Sequence, residues 1–291
     1  VIDNGTVTTL AGTGSACSLN CDNATGTSAG FYYAGGITTD GTNLYVADSF
    51  NNKIRKIVIS TGVVTTLAGP AEFSSGSGST DGTGPAARFY KPFAITSDGT
   101  NLYVADSFNN KIRKIVISTG EVTTLAGTYY YGSYDGTGPS ASFWAPEGIA
   151  TDGTNLYVSD TQNHKIRKIV ISTAVVSTFA GSGSPGSVDS TTGTSASFKF
   201  PRAITSDGTN LYVADASNNK IRKIVISTGE VTTIAGSGSS GSADGRGTAV
   251  TFSAPEGIAN DGTNLYVSDT QNHTIRKISS RGTVTADLTL H

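Results

Sequence analysis

Methionine is absent from this 291-residue chain, and charged residues make up only 14% of it. With a net charge of −2, the chain has no overall attraction to nucleic acid or to an anionic membrane, and we expect neither as a partner. No apolar run is long enough to span a bilayer, and no basic and then apolar leader opens the sequence. The missing initiator favours a processed chain, so we expect an extracellular or cell-surface location.

Cysteine occurs only twice, as Cys17 and Cys21 in the polar segment ACSLNC. An oxidised pair at this spacing pins a short loop, and we predict such a disulfide, with two free thiols as the alternative. Two thiols without a nearby histidine do not make a zinc site, and haem attachment requires the spacing C-x-x-C-H. We therefore expect neither a metal site nor a cofactor.

One segment, by contrast, is present five times. DGTNLYVADSFNNKIRKIVISTG begins at Asp40 and returns unchanged from Asp98, with close copies from Asp152, Asp207 and Asp261. A fixed period of this kind predicts a repeat architecture, and 36 glycines with abundant Ser and Thr favour strands and turns over helices. We predict a single domain over residues 1–291, with units at about 35–69, 93–127, 147–181, 202–236 and 256–288.

Each unit contains four short segments that are typical of strands. Three of them follow one another in the first unit as Gly41–Asp48, Asn52–Ser60 and Gly62–Gly69, and a segment such as Phe93–Gly99 precedes them in the next unit. Both faces of the second segment are apolar, so a lone four-stranded sheet would expose one of them. Radial stacking of such sheets buries both faces. This pattern predicts an all-β fold, a β-propeller of five four-stranded antiparallel blades.

The order P-x-G-I-A-x-D-G-x-N-L-Y-V-x-D-x-x-N-x-x-I-R-K-I resembles the NHL repeat, and Pro146–Ile169 matches it most fully. The resemblance covers all five units, from about Gly35 to Lys277, and implies a β-propeller with short, regular blades. It implies no single activity, because members of the family serve as protein- or RNA-binding modules, receptor ectodomains and, in one branch, lyases.

The lyase branch depends on a cluster of metal-binding histidines, and this chain has only His164, His273 and the terminal His291. No Ser-His-Asp or Cys-His set is evident either. We therefore expect a non-enzymatic interaction scaffold with a protein partner. The alternatives are a monomeric ligand- or glycan-binding module and, less favoured, a metal-dependent lyase.

The signature of the fourth strand occurs six times, because Gly5–Gly12 and Gly282–Leu288 both carry it. We expect a terminal strand to close the propeller by completing blade five, which leaves the other copy spare. A spare strand can add to an edge of another molecule, so we predict self-assembly into an oligomer or filament. A sixth blade missing from the sequence or a frayed tail is the alternative.

The links between units exceed twenty residues and are expected to gather with the SFNN loops on one face, which we predict to bind the partner. The aromatic side chains expected there are Tyr129, Tyr130, Tyr131, Tyr134, Trp144, Phe50 and Phe108. Aromatic clusters of this kind suit protein or sugar contacts. Because Trp144 adjoins one of the recurring phenylalanines, which are expected to plug the core, a buried Trp144 is the alternative.

At the expected mouth of the central channel, one position varies between units and is occupied by Phe93, Glu147, Arg202 and Glu256. An arc of Glu, Arg and Glu can hold a small polar ligand, and mutual neutralisation is the simpler alternative.

The arginines of the KIRKI segments repeat with the period of the units, so they are spread over all five blades. We predict that each pairs with the aspartate of its own unit: Arg55 with Asp48, Arg113 with Asp106, Arg167 with Asp160, Arg222 with Asp215 and Arg276 with Asp269. The Asp-Gly-x-Gly loops at Asp81, Asp135 and Asp244 are interpreted as tight turns, since each supplies a single carboxylate and calcium needs several.

Overall fold

The computed structural model of the chain describes residues 7–17, 23–71, 76–279 and 283–285. Within these ranges the regular structure consists of β-strands and three-residue 3-10 turns, and no α-helix is present. No helix in the described part of the chain is long and apolar enough to cross a membrane. The strands form five antiparallel sheets, which are the five blades of a β-propeller fold.

The strands follow one another through the blades in chain order. Blade one contains β1 (Ala24–Thr25), β2 (Ala34–Thr39), β3 (Asn43–Asp48), β4 (Lys53–Val58) and β5 (Val63–Ala68). Blade two contains β6 (Gly82–Thr83), β7 (Pro92–Ser97), β8 (Asn101–Asp106), β9 (Lys111–Val116) and β10 (Glu121–Ala126). Blade three contains β11 (Gly136–Thr137), β12 (Pro146–Thr151), β13 (Asn155–Asp160), β14 (Lys165–Val170) and β15 (Val175–Ala180).

Blade four contains β16 (Pro201–Ser206), β17 (Asn210–Asp215), β18 (Lys220–Val225) and β19 (Val231–Ala235). Blade five contains β20 (Gly245–Arg246), β21 (Pro255–Asn260), β22 (Leu265–Asp269), β23 (Thr274–Ile278) and β24 (Thr283–Thr285). One 3-10 turn precedes the inner strand of each blade, at Gly26–Ser28, Gly84–Ala86, Gly138–Ser140, Gly193–Ser195 and Gly247–Ala249. A second turn joins the next two strands, at Ser49–Asn51, Ser107–Asn109, Thr161–Asn163, Ala216–Asn218 and Thr270–Asn272.

Four main strands per blade agree with the prediction, but four of the blades carry a fifth. In blade one the two-residue strand β1 pairs with β5 on the outer edge, Ala24 opposite Val64. Blade four has a single bridge between Ser190 and Val231 in the same place. The long link therefore returns along the outer strand and covers its exposed hydrogen-bonding groups.

The two terminal copies of the fourth-strand signature differ in structure. β24 pairs with β23, Ile278 opposite Val284, so the C-terminal copy occupies the outer position of blade five. The structure assigns no strand to Val7–Gly12, so for these described residues the prediction of a strand over Gly5–Gly12 is wrong. Gly5 and Thr6 lie outside the described residues, as do Gly282 and the segment from Ala286 to His291.

The chain divides into two compact units, Val1–Pro146 and Glu147–Thr289. The first holds blades one and two together with β11, and the second holds the main strands of blade three from Glu147 onward and blades four and five. The single domain predicted over residues 1–291 stays a prediction.

Adjacent blades within a unit pack through apolar faces. In the first unit, Tyr45 and Ile54 of blade one pack with Phe89, Ile95 and Val104 of blade two. Two equivalent interfaces occur in the second unit, one between blades three and four and one between blades four and five. The recurring phenylalanines predicted as core plugs are all fully buried: Phe89, Phe143, Phe198 and Phe252.

Candidate binding face

A buried ion pair lies at the end of the second main strand of every blade. The five predicted pairs are all present, at 3.0 Å for Arg55–Asp48, 2.9 Å for Arg113–Asp106, 2.9 Å for Arg167–Asp160, 2.7 Å for Arg222–Asp215 and 2.9 Å for Arg276–Asp269. Both side chains of each pair are at most 1% exposed. Because a buried charge needs a full set of partners, each pair fixes the groups around it.

Asp106 shows how the pair organises its loop. Its carboxylate accepts hydrogen bonds from the backbone N–H of Tyr90 at 2.8 Å and from the side-chain amide of Asn109 at 2.8 Å, in addition to Arg113. Burial raises the pKa of Asp106 to about 6, against the opposing effects of the Arg113 charge and the Asn109 hydrogen bond. The same cause raises the pKa of Asp48 and Asp215.

A second carboxylate, from the link before the blade, reaches three of these arginines. Asp81, Asp189 and Asp244 accept from the other terminal nitrogen of Arg113, Arg222 and Arg276, at 2.8, 2.7 and 2.6 Å. Our interpretation of Asp81 and Asp244 as turn residues alone is therefore wrong, because both anchor the link to the blade. For Asp81, burial acts to raise the pKa, but hydrogen bonds from Thr124 and the Arg113 charge lower it below its ordinary value.

The buried aspartate also places a pair of aromatic rings on the surface. In blade two the N–H of Phe108 donates to the carbonyl of Tyr90, and the two ring centroids lie 5.2 Å apart. In blade one Tyr32 donates its N–H to Asp48 at 2.8 Å, and its ring lies 5.1 Å from that of Phe50. Equivalent positions of two repeats therefore present equivalent aromatic pairs, held by backbone hydrogen bonds.

Lys91 lies between these two pairs. Its ammonium nitrogen is 4.7 Å from the ring centroid of Phe50 and 4.4 Å from that of Phe108, which is within cation–π range. Its backbone N–H donates to the side chain of Asn52 at 2.8 Å, and its φ of 48° is left-handed. Tyr33 extends the set, with its ring 5.2 Å from that of Phe50.

We call this set the aromatic face, defined by Tyr32, Tyr33, Phe50, Tyr90, Phe108 and Lys91. Its five rings are each more than a third exposed. Sequence reasoning identified Phe50 and Phe108 but missed Tyr32, Tyr33, Tyr90 and Lys91. The signal that could have found them is the register of the repeat, since these residues directly follow the phenylalanine core plug or its equivalent, Phe31.

The link of the third repeat adds a second aromatic group beside this face. Tyr131 stacks on Trp144 with centroids 4.9 Å apart and planes inclined by 28°, and Tyr129 contacts Tyr130 at 5.7 Å. Asn110, two residues after Phe108, donates its side-chain amide to the carbonyl of Tyr129 at 3.3 Å.

All five aromatic residues predicted in this link, including Tyr134, are exposed, and Trp144 is 42% exposed rather than buried. Trp144 occupies the position that Tyr90 holds in the second repeat. That these side chains bind a partner stays a prediction.

The predicted channel-mouth residues fall into two sets. In the second unit Arg202 lies 3.5 Å from Glu147 and 3.1 Å from Glu256, so both acids share one arginine. Burial raises the pKa of Glu147, against the effect of Arg202. Phe93 belongs to the first unit, where its ring lies 6.0 Å from that of Tyr33. Neutralisation accounts for the Glu–Arg–Glu arc, and a ligand there stays a prediction.

The remaining candidates are histidine and cysteine. His164 accepts the backbone N–H of Phe200 at 3.1 Å, and burial together with the Lys199 charge lowers its pKa. Among the residues that the structure describes, no group of three or more His, Cys, Asp or Glu side chains is placed to hold a metal ion. Cys17 is disulfide-bonded, whereas Cys21 lies outside the described residues, so the predicted pairing of the two stays a prediction.

Comparison with known proteins supports the repeat assignment. No model of a known protein family matches the chain. Over 191 residues the chain is 35% identical to NHL repeat-containing protein 2 of Bos taurus, a match that covers 61% of this chain and 26% of that protein. The chain thus spans about a quarter of the length of this curated relative.

Solved structures match over most of the chain at low identity. A structural genomics protein of unknown function from Bacteroides thetaiotaomicron aligns with a TM-score of 0.67 and 19% identity, covering 96% of this chain and 62% of that one. A streptogramin B lyase aligns with a TM-score of 0.53 and 17% identity, covering 87% of this chain and 67% of that one. Likeness at such identities shows the fold alone. The motif, the blades and this relative agree, so the resemblance of the repeats to the NHL repeat is confirmed, and the fold is a β-propeller.

Proposed function

We propose that this protein is a non-enzymatic binding module that receives a protein partner on the aromatic face. The observation that carries the proposal is the exposure of five rings, in a set whose Tyr32 and Tyr90 backbones are held by hydrogen bonds to buried aspartates. Tyrosine and other aromatic side chains dominate the energetic centres of protein interfaces, and rings already held in position lose little freedom on binding. Independently of these rings, an NHL-type propeller fold also suggests a binding or scaffold module.

The chemistry of the face indicates what kind of surface it would bind. The rings of Phe50 and Phe108 offer apolar area, and the tyrosine hydroxyls add hydrogen-bonding groups at the edges. Lys91 brings the single formal charge of the face, which is positive. A partner with an apolar patch and a carboxylate facing Lys91 is the complementary surface.

An extracellular or cell-surface location is part of the proposal. The disulfide bond of Cys17 supports it, because disulfides form and persist in oxidising compartments. Antibody labelling of intact and of permeabilised cells tests the location: signal on intact cells is expected, and labelling only after permeabilisation contradicts it.

The binding test removes the face without disturbing the core. The variant Tyr33→Ser/Phe50→Ser/Phe108→Ser alters exposed rings only, and the control Val63→Ser/Val175→Ser/Val188→Ser removes as many exposed apolar side chains elsewhere. With a partner captured from extracellular proteins and then purified, we expect the face variant to raise Kd at least about tenfold and the control to leave it unchanged. Equal affinity for both variants contradicts the proposal.

The alternatives give different outcomes in the same system. A glycan in place of a protein would bind the stacked Tyr131–Trp144 platform and shift the emission of the single tryptophan. A lyase would hold metal and act on a substrate such as streptogramin B, the substrate named for one structural neighbour. Stoichiometric zinc in the purified protein, together with degradation of that compound, would overturn the non-enzymatic assignment.

Self-assembly, predicted from the sixth copy of the fourth-strand signature, is a second candidate function. The observation that favours it is distinct from the aromatic face. Ile37 of blade one is exposed, whereas Ile95, Ile149 and Ile204 at the same position are buried, and Ile275 of blade five is exposed where the other blades bury an isoleucine.

A further inference from the structure

A side chain at one fixed position of the repeat holds the entry to the next blade. In three blades it is an asparagine, whose side-chain oxygen accepts the backbone N–H of the second residue after the next phenylalanine core plug. These bonds measure 2.8 Å for Asn52 and Lys91, 2.9 Å for Asn110 and Ala145, and 2.9 Å for Asn219 and Ala254. Because donor and acceptor belong to neighbouring blades of one unit, each bond links the two blades.

The residues that donate in these bonds have an unfavourable backbone conformation. Their φ values are left-handed although none of them is glycine, at 48° for Lys91, 46° for Ala145, 47° for Ala254 and 50° for Phe200 in blade four. Residues with a Cβ hold this conformation only where their surroundings stabilise it. The acceptor from the preceding blade provides part of that stabilisation.

Blade three has histidine in place of the asparagine. The Nδ1 atom of His164 accepts the backbone N–H of Phe200 at 3.1 Å, and the two rings meet edge to face with their centroids 4.6 Å apart. A backbone N–H only donates, so Nδ1 has no proton and the proton of the neutral imidazole lies on Nε2. Neutral His164 thus takes over the role of the asparagine oxygen.

Protonation of His164 removes this acceptor. Both nitrogens of an imidazolium ring are donors, so the N–H of Phe200 would face a second donor and lose its partner. A polar group that loses its partner in a half-buried position costs free energy, and here it belongs to a residue whose φ is already unfavourable. Asparagine does not titrate, so the equivalent bonds of the other blades are insensitive to pH.

The charged groups around His164 give its protonated form no support. The 3-10 turn before it has no titratable side chain, and Lys165 follows it in β14. Asp160, at the end of β13, is held in its buried ion pair. On the side of blade four, Lys199 adds a positive charge, and Asp215 is held in a buried ion pair of its own.

The range of pH in which the bond breaks follows from this environment. Burial, together with the Lys199 charge, lowers the pKa of His164 below its ordinary 6.5. A histidine whose pKa is lowered on folding stabilises the fold while it is neutral, and this contribution is lost as the pH falls below 6.5. The bond from Phe200 should therefore be intact at neutral pH and break in mild acid.

We propose that His164 is an acid-sensitive switch, which links blades three and four at neutral pH and releases Phe200 at the entry to β16 in mild acid. The change is local, because Thr161 still donates its hydroxyl to the carbonyl of Pro201 at 2.8 Å. Lys91 of the aromatic face is held by asparagine and should keep its position at the same pH. The inference is independent of the partner proposed for that face and of self-assembly.

The experiment measures protection of the Phe200 amide from hydrogen exchange between about pH 4.5 and pH 7.5 in the native protein and in His164→Asn. The variant should fold, because asparagine is the residue that three other blades have here. The protection factor corrects for the intrinsic pH dependence of exchange. We expect it to fall at least about tenfold towards acid in the native protein and to stay constant in the variant.

A second variant, Asn219→His, transfers the switch to the contact between blades four and five. The amide of Ala254, whose protection should not change with pH in the native protein, should become acid-sensitive in this variant. His273→Asn is the matched control, because it removes the exposed histidine at the same repeat position of blade five and should leave the response of Phe200 unchanged.

Two results would overturn the switch. One is a native Phe200 amide whose protection does not fall in acid, and the other is a fall of equal size in His164→Asn. If His164→Asn does not fold, Asn219→His decides, and an Ala254 amide that stays protected in acid contradicts the proposal.

Discussion

Arg113 and Asp106 form an ion pair of 2.9 Å in which both side chains are fully buried. The same aspartate holds the backbone of Tyr90, and the same arginine holds Asp81 of the link. One pair therefore connects the core of blade two to its surface aromatics and to its outer edge.

Replacing Arg113 with alanine should lower the free energy of unfolding by roughly 3–5 kcal/mol, because Asp106 would remain buried without its cation. Lys114→Ala is the matched control, since Lys114 lies on the same strand and is not buried. That change should stay within about 0.5 kcal/mol. Chemical denaturation measures both, and a loss below about 1 kcal/mol for Arg113→Ala would show that the pair is dispensable.

The lowered pKa values of the aspartates in the Asp-Gly turns lead us to expect that the protein loses stability in acid. Burial acts to raise the pKa of Asp98, but hydrogen bonds from the backbone and side chain of Asn101 and from the Tyr103 hydroxyl lower it below the ordinary 3.8. A lowered pKa in the folded state stabilises the fold above pH 3.8, and this contribution is lost as the pH falls below that value. Asp152 and Asp207 are lowered in the same direction.

We therefore expect the melting temperature to fall steeply below about pH 4. Asp98→Asn should lower stability at neutral pH and make the remaining acid loss shallower. Calorimetry between pH 2 and pH 7 checks both effects, and an acid profile identical to that of the native protein would contradict the role of Asp98.

Much of this architecture follows from the repeat. The period placed the four main strands of each blade, the five Arg–Asp pairs and the phenylalanine core plugs, because each recurs at a fixed position. The two-residue outer strands, such as Gly82–Thr83, could not be predicted, since a Gly-Thr dipeptide has no strand pattern and pairs only through its neighbour. The strand prediction for Val7–Gly12 was wrong for the opposite reason. The sequence of this segment matches that of an outer strand, but a strand also needs an edge to pair with.

Only part of the aromatic face could be predicted from the sequence, because some of its residues depend on tertiary contacts. The aromatic residues in the loop segments of the sequence identified Phe50, Phe108 and the tyrosine-rich link. Tyr32 and Tyr90 were missed because their exposure depends on hydrogen bonds to Asp48 and Asp106, which are distant in sequence. Such tertiary contacts cannot be inferred from composition.

The link before blade two should loosen when Asp81 is replaced. Asp81 bridges Arg113 and Thr124, but its side chain is 48% exposed, so water compensates for part of the loss. Asp81→Ala should therefore destabilise the protein less than Arg113→Ala does. It should speed hydrogen exchange of the amides in residues 76–87 while leaving blade one unchanged, and equal exchange rates in both proteins would show that Asp81 does not anchor the link.

The turn after the third main strand of blade three offers a stabilising substitution. Ala174 has a left-handed φ of 56°, where the equivalent residues Gly62, Gly120 and Gly229 have φ between 68° and 76°. Its N–H donates to the carbonyl of Val170 at 2.8 Å, as Gly120 does to Val116, so the turn itself is the same. A residue with a Cβ costs about 1–2 kcal/mol in this region, and glycine loses about 0.4–1 kcal/mol more backbone entropy on folding.

Ala174→Gly should therefore stabilise the fold by about 0.5–1 kcal/mol, and Gly120→Ala should destabilise it by at least as much. The added Cβ at Gly120 would also lie only 3.1 Å from the carbonyl oxygen of Leu67. The control Ala259→Gly makes the same change at an exposed position within β21 and should cost about 0.5–1 kcal/mol. Thermal denaturation compares the three variants, and a destabilising Ala174→Gly would show that the turn tolerates alanine without strain.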